Sequence, residues 1–91
     1  MRIKILQADI NTAYKFMSFD FAMANGFSLL DYKTVFDGDV EAKGLEDIYI
    51  MFNNEHPNNM HSLSMSDIVI TEKGMFYCDM VGWQNVLKKT F

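Results

Sequence analysis

HSLSMSDIVITEKGMFYCDMVGW, residues 61–83, is the stretch that decides the fold, because it joins a polar loop to two apolar segments. Its Ile68-Val69-Ile70 run is short and continuously apolar, as in a buried β-strand. Glu72-Lys73-Gly74 supplies a three-residue turn, and Met75 to Val81 form a returning strand. The segment therefore predicts a hairpin preceded by a loop rich in hydroxyl groups.

Periodicity upstream of the hairpin predicts a strand followed by a long helix. Residues 2–8 alternate in polarity, which is typical of a strand. Asp9 and Asn11 are suitable N-caps, and Gly26 is a suitable stop, for a helix that begins at Ile10. One apolar stripe of this helix is predicted to face the core: Ala13, Tyr14, Met17, Phe21 and Ala24.

The same helix carries a second apolar row on roughly its opposite side, formed by Phe16, Phe19 and Met23. A small domain buries both rows only if the helix is sandwiched between other elements. We expect the second row to be partly exposed and to mediate self-association, as in a homodimer, or contact with a partner.

A second strand and a second helix follow. Alternation predicts a strand from Tyr32 to about Glu41 with a bulge at Gly38, and a hairpin turn at Asp37-Gly38 is the alternative. GLEDIYIMFNN, residues 44–54, has an amphipathic helical pattern, with apolar positions at Leu45, Ile48, Tyr49 and Phe52. GWQNVLKKTF, residues 82–91, is predicted to end the chain as a helical turn that uses Trp83, Val86 and Leu87.

The predicted order, β-α-β-α-β-β, is that of one α+β domain over residues 1–91, with two helices packed on a mostly antiparallel sheet. Residues 61–83 resemble the signature segment of the YodL-like family, small domains found in bacteria, phages and conjugative elements. The opening strand, DYKTVFDGDVEA at 31–42 and GLEDIYIMFN at 44–53 agree with that family in the same order. The resemblance covers most of the chain, and it implies a fold and a phage or mobile-element setting rather than a reaction.

Composition is that of an ordinary globular domain, with 49% hydrophobic and 22% charged residues in 91. No apolar run approaches the ~20 residues of a membrane span, so no membrane partner is expected. Cys78 is the single cysteine, which excludes an internal disulfide and favours the reducing cytoplasm of a bacterial host cell. Since it has no cationic neighbour in sequence, we expect an inert buried thiol.

Negative charge is concentrated in residues 37–47, which account for the whole net charge of −4. Against Lys43 alone, this segment holds Asp37, Asp39, Glu41, Glu46 and Asp47. Alternation places the first three on one strand face, and the other two begin the next helix close by. A nucleic-acid binder would have a clustered basic face, so direct DNA or RNA binding is not expected. The segment predicts either a solvated edge or a site for a protein with a basic surface, such as a nucleic-acid-binding enzyme.

The polar loop over residues 55–67 is the other candidate site. Its side chains can orient a small ligand, or they can satisfy backbone donors where the loop enters a strand: His61, Ser62, Ser64, Ser66 and Asp67. His56 and His61 lack the further ligands that a metal site needs. A triad of Ser64, His61 and Asp67 would lack an oxyanion hole and a nucleophile turn.

These patterns predict no catalytic residue, no metal and no cofactor. The sequence favours a non-catalytic interaction module that binds a host protein and modulates or inhibits it. An anti-defence protein, such as an anti-CRISPR inhibitor of a nuclease, is the sharper form of that hypothesis. A small-ligand-binding domain that uses residues 55–67 is the alternative.

Overall fold

Five antiparallel strands in one sheet form the centre of the fold, in a computed structural model that describes residues 1–89. The strands are β1 Arg2–Ala8, β2 Tyr32–Asp39, β3 Ile68–Thr71, β4 Gly74–Cys78 and β5 Trp83–Asn85. Their spatial order is β2-β1-β3-β4-β5. The helices are α1 Phe19–Ala24, α2 Leu45–Asn54 and α3 Val86–Lys89, with a 3₁₀ turn at Leu29–Asp31. The predicted α+β class is confirmed.

Apolar side chains cover the sheet on both faces, which explains the uninterrupted apolar run of β3. Val69 lies opposite Ile5 of β1 and packs in a cluster with α2. Its neighbour Ile68 points to the other face, where it packs with Tyr77 and with Phe19 of α1. β3 lies in the middle of the sheet, so neither of its faces meets water at these positions.

Helix α2 lies diagonally across one face of the sheet. Ile48 and Phe52 are buried, as their spacing predicts, and Leu45 packs against the same cluster. The Phe52 ring meets Phe36 of β2 at a centroid distance of 4.9 Å. At the other end of the helix, Glu46 accepts a hydrogen bond from the Trp83 indole of β5. The helix therefore spans from one edge strand of the sheet toward the other.

The predicted helix from Ile10 to Asn25 is wrong over its first part, because the residues before Ser18 form a series of turns. Phe16 has φ of 67°, a left-handed conformation that an α-helix cannot include. The helix begins only after Ser18, whose hydroxyl accepts a hydrogen bond from Phe21 N. Of the stripe predicted to face the core, only Tyr14 is buried; the others are exposed: Ala13, Met17, Phe21 and Ala24.

The second apolar row, Phe16, Phe19 and Met23, does not form one helical face either, because Phe16 lies before the helix begins. Phe19 is 3% exposed, so its predicted role in an exposed contact surface is wrong. Its ring meets Tyr77 edge-on at 5.0 Å, and Ala22 of the same helix is buried beside it. Phe16 and Met23 are exposed, as predicted, and a contact role for these two stays a prediction.

Replacement of the Ser18 cap tests the corrected start of α1. We expect Ser18→Ala to lower the free energy of unfolding by about 0.5–2 kcal/mol, because one amide at the helix start loses its acceptor. Ser18→Gly is the matched control, since glycine caps nearly as well and costs only a few tenths of a kcal/mol. Equal losses in urea denaturation would contradict a capping role.

Strand β2 is continuous, so the hairpin alternative at Asp37-Gly38 does not occur. The bulge lies at Val35 rather than at Gly38, since Ile5 and Leu6 pair with Phe36 and Thr34.

The returning strand of the hairpin ends at Cys78 rather than at Val81. A turn at residues 79–82 then leads into β5, so Trp83 begins a strand and not the predicted helical turn. Gly82 provides the positive φ of 73° in that turn. A short helix does follow at Val86–Lys89, and Thr90 and Phe91 lie outside the described residues.

Candidate functional site

Asp67 is the buried centre of a polar network at the end of the 55–67 loop. Its side chain has no solvent exposure. One carboxylate oxygen, Oδ2, accepts from Gln7 Nε2 at 2.9 Å and from the Ser64 amide at 2.8 Å. Within residues 1–89 the other oxygen, Oδ1, has no hydrogen-bond partner and lies 3.9 Å from His61 Nε2. Burial raises the pKa of Asp67 from its ordinary 3.8 to about 6.

Gln7 ties this loop to β1, and Lys15 approaches from the turn segment. Gln7 Nε2 donates to the His61 carbonyl, and Gln7 Oε1 accepts from the His61 amide. The Lys15 ammonium lies 2.7 Å from the Ala8 carbonyl and 2.9 Å from His61 Nε2. His61 Nδ1 lies 2.7 Å from the Ser62 carbonyl. The Ser62 contact fits a ring that carries its proton on Nδ1 and accepts from Lys15 at Nε2. Gln7 Nε2 lies 3.1 Å from Nδ1, but its two protons are directed to the His61 carbonyl and to Asp67.

Two residues other than glycine adopt left-handed backbone conformations where these segments meet. Phe16 has φ of 67° and Ser66 has φ of 82°. The Phe16 amide donates to Ser66 Oγ at 2.8 Å, and the Ser66 carbonyl accepts from Tyr32 Oη at 2.6 Å. Such conformations cost about 1–3 kcal/mol each and persist only where surrounding contacts enforce them. Here they hold the Phe16 ring 5.2 Å from that of His61.

A cleft of about 580 Å³ opens beside this network, at the end of β1 and the start of β2. Lys15 and His61 line it from the network, and Asp31 and Lys33 line it from the 3₁₀ turn and β2. The remaining lining residues are Gln7, Ala8, Asp9, Ile10, Leu30, Tyr32, Asn58, Asn59 and Met60. Charged groups of both signs therefore lie in the cleft together with apolar side chains.

The predicted loop residues come together, but they do not share one role. Ser66 and Asp67 are buried and satisfy backbone and side-chain donors, as in the structural alternative. Ser64 Oγ donates to the Ser62 carbonyl, which keeps both within the loop. Of the five predicted loop residues, His61 alone lines the cleft.

Sequence reasoning missed most of the cleft. Gln7 had a usable signal, since it follows Ile3 and Ile5 at the inward positions of a strand and is a polar residue where an apolar one is expected. Lys15 and Leu30 had no such signal, because the turns that place them are not periodic.

The acidic segment does not form one array, which corrects the expectation that its helical acids lie close to its strand acids. Asp37 and Asp39 project from the sheet face opposite to α2, where they pair across the strands with Lys4 and Arg2. Glu41 lies beyond the end of β2, so its predicted place on the same strand face is wrong. Asp37 forms an ion pair with Arg2 at 2.6 Å.

The helical acids lie elsewhere. Glu46, in the first turn of α2, bonds to Trp83 of β5, at the edge of the sheet opposite to β2. Four strand spacings separate those edges, about 19 Å. Asp47 accepts from the Lys43 amide in the same turn. The strand acids and the helical acids therefore lie on different surfaces.

The remaining chemical candidates are accounted for by burial. Burial raises the pKa of the Cys78 thiol from 9.0 to about 12, so a thiolate is not formed at neutral pH.

In residues 1–89, no group of three His, Cys, Asp or Glu side chains is placed to hold a metal ion. No helix in the same part of the chain has the length and apolarity to cross a membrane.

The family model for the YodL-like domain matches residues 1–89. The chain belongs to the YodL-like domain family. That match includes both segments of the polar network and the residues of the cleft. No curated protein and no solved structure matches the chain.

The raised pKa of Asp67 gives this YodL-like domain a measurable pH dependence. The folded state binds the Asp67 proton more tightly than the unfolded chain, so the contribution of Asp67 to stability is fully present below about pH 4 and is lost as pH rises through about 6. Asp67→Asn removes this titration while keeping an oxygen acceptor. We expect the variant to gain about 2–3 kcal/mol relative to the parent between pH ~4 and ~7 in urea denaturation. A pH-independent difference would contradict it.

Proposed function

We propose that this YodL-like domain is a non-catalytic module that binds a protein of its bacterial host through the cleft beside His61. The exposure of Leu30 carries the proposal, since its side chain is 95% exposed at the cleft. Ile10, which also lines the cleft, is 73% exposed. Large aliphatic side chains grouped in water are typical of protein-contact surfaces.

The backbone at Leu30 is held in place by hydrogen bonds within the protein. Its amide donates to Ser28 Oγ at 3.1 Å, and the following Asp31 accepts from Tyr14 Oη at 2.7 Å. These bonds hold the 3₁₀ turn on which Leu30 stands. A backbone turn that is already ordered loses little conformational entropy on binding, which favours affinity.

The contacts of Asp67, His61 and Cys78, three reactive side chains near the network and the sheet, support a non-catalytic module. The Asp67 carboxylate is enclosed behind Gln7, and the His61 ring nitrogens face Lys15 and Ser62. Cys78 is buried. Among the described residues, no hydrogen bond joins the Asp67 carboxylate or the His61 ring to a serine hydroxyl or to a thiol, the pairing that a general base and its nucleophile would need.

The acidic segment is the competing surface for the same function. Asp39 and Glu41 are exposed, and neither forms an ion pair within the described residues. These two acids favour a partner with a basic surface, as expected from the charge pattern. Inhibition of a nuclease by phosphate imitation needs a single acidic array, and the separation of Asp37 from Glu46 weakens the support for that sharper form.

Affinity capture from the host bacterium separates the two surfaces. We expect the parent protein and the charge-reversed variant Asp37→Lys/Asp39→Lys/Glu41→Lys to retain the same host protein. Leu30→Asp should reduce its recovery about tenfold or more, because a charge then replaces an apolar contact. Both variants alter exposed side chains and should stay folded, although the triple variant loses the Arg2 ion pair and places lysines opposite Lys4 and Arg2. Circular dichroism of each variant checks its fold.

The opposite pattern, with retention by Leu30→Asp and loss in the triple variant, would move the binding site to β2. A salt dependence of binding that disappears in the triple variant would independently assign charge-steered association to β2.

Small-ligand binding is the second candidate function. It is favoured by the cleft volume of about 580 Å³, which falls within the range of about 300–1,000 Å³ for small-molecule sites. A ligand that co-purifies with the parent but not with Leu30→Asp, in the absence of any captured protein, would support it.

A further inference from the structure

Lys15 and Lys33 place two positive charges in the cleft, and they act on each other. Both line it, and the charge of Lys33 opposes the ionised form of Lys15. Burial lowers the pKa of the Lys15 ammonium, and the Lys33 charge lowers it further, whereas Asp67 and Asp9 raise it. Asp67 and Asp9 outweigh the Lys33 charge, so burial is the main effect that an anion close to the Lys15 ammonium would offset.

Hydrogen bonds already made decide which groups remain for a ligand. Asp9 accepts from the Asn11 amide, and Asp31 accepts from Tyr14 Oη. Lys15 has two contacts for its three ammonium protons, to the Ala8 carbonyl and to His61 Nε2. Among the described residues, Lys33 has neither a hydrogen bond nor an ion pair from its side chain. Asp9 and Asp31 keep their negative charges, and the donors that remain for a ligand are one Lys15 proton and the Lys33 ammonium.

The Lys15 ammonium is held rather than free to move. Its two contacts are 2.7 and 2.9 Å long, and the ring of Phe16 lies beneath it with the centroid at 4.9 Å. Phe16 is itself fixed by Ser66 Oγ. A preorganised cation in a partly buried cleft binds an anion more strongly than a surface lysine does. The attraction is less screened by water, and the side chain loses less conformational freedom on binding.

We infer that the cleft receives an acidic side chain of the partner protein, with its carboxylate bound by Lys15 and Lys33 and its apolar neighbours against Ile10 and Leu30. The inference rests on the proposed function. A protein is favoured over a free small anion because the exposed aliphatic side chains beside the lysines would gain nothing from phosphate or acetate. Charge and apolar contact together match a segment in which Asp or Glu lies between large apolar residues.

NMR titration of the whole chain with two blocked peptides and one inorganic anion tests this inference. The probes are acetyl-Leu-Glu-Leu-amide, acetyl-Leu-Gln-Leu-amide and inorganic phosphate. We expect the Glu peptide to shift the amide resonances of Lys15, Leu30 and Lys33, and to bind about tenfold more tightly than the Gln peptide. Lys33→Met should reduce that preference while the domain stays folded, because the exposed Lys33 side chain makes no hydrogen bond or ion pair among the described residues. Lys73→Met, on the distant β3–β4 turn, should keep it.

Equal binding of the Glu and Gln peptides, or no binding of either, would overturn the inference. Phosphate binding at the same residues that is insensitive to Leu30→Asp would also overturn it and would assign the cleft to small anions. The proposed function fails in a different way, namely if Leu30→Asp retains the host protein in the capture assay. In the capture assay, loss with Leu30→Asp together with retention by Lys33→Met would keep the protein-binding cleft and reject the carboxylate.

Discussion

Phe52→Ala is expected to lower the free energy of unfolding by about 3–5 kcal/mol, because the phenyl ring leaves a cavity that its neighbours cannot fill. Phe52 is 4% exposed and packs against Phe36 with a ring-centroid distance of 4.9 Å. It anchors the end of α2 that lies over β2. A loss of this size is a large part of the stability of a domain of this length, typically about 5–15 kcal/mol.

Ile50→Ala is the matched control, since Ile50 lies in the same helix and is 57% exposed. Alanine has the higher helix propensity, so we expect a change within about 0.5 kcal/mol. Chemical denaturation of the two variants measures the difference directly. A cost below about 1 kcal/mol for Phe52→Ala would contradict the packing of α2 on the sheet.

Phe19→Asp is the second change with a large expected effect. It removes a buried ring that meets Tyr77 and Phe27, and it places a carboxylate among apolar groups. The lost packing alone costs about 3–5 kcal/mol, and the buried charge adds to it, so the variant should be largely unfolded. Circular dichroism and urea denaturation report this outcome.

Met23→Asp provides the control for Phe19, because Met23 belongs to the same helix and is 40% exposed. We expect this variant to stay folded. If the parent is a dimer and Met23→Asp is monomeric, Met23 takes part in self-association. If Phe19→Asp is folded and monomeric, Phe19 is exposed in the monomer and contradicts the buried position described above. Sedimentation of the three proteins distinguishes these cases.

Strands β1 to β4 and helix α2 could be predicted from the sequence because their burial is periodic, whereas the three-residue edge strand β5 was not predicted. The strands follow alternation or a short apolar run, and Ile48 and Phe52 follow helical spacing. The first helix was over-extended for a physical reason. Apolar residues between Ile10 and Ser18 happen to fall at helical spacing, whereas the bond from Phe16 N to Ser66 Oγ holds that segment in turns. A contact over 50 positions in sequence leaves no local signal.

The candidate site was predicted only in part for the same reason. The 55–67 loop and its hydroxyl groups are visible in sequence, but their partners Gln7 and Lys15 come from distant segments. The acidic segment illustrates the opposite error. Asp37 and Glu46 are near in sequence, yet Asp37 lies on the edge strand β2 and Glu46 contacts Trp83 of the opposite edge strand β5. Proximity along the chain overestimates a shared surface wherever the segment between two residues crosses the sheet.

Site-specific photo-crosslinking in host cells tests most directly whether the cleft is the partner-binding surface. A benzoylphenylalanine would replace Leu30 at the cleft, Glu41 beyond β2, or Leu87 of α3, three positions that are exposed. Because the crosslinker reacts only with groups within a few ångströms, the adduct identifies the contact surface. We expect one host protein to be crosslinked from position 30 and not from position 41 or 87. An adduct with a host protein from position 41 and none from position 30 would contradict the cleft and assign binding to the acidic segment.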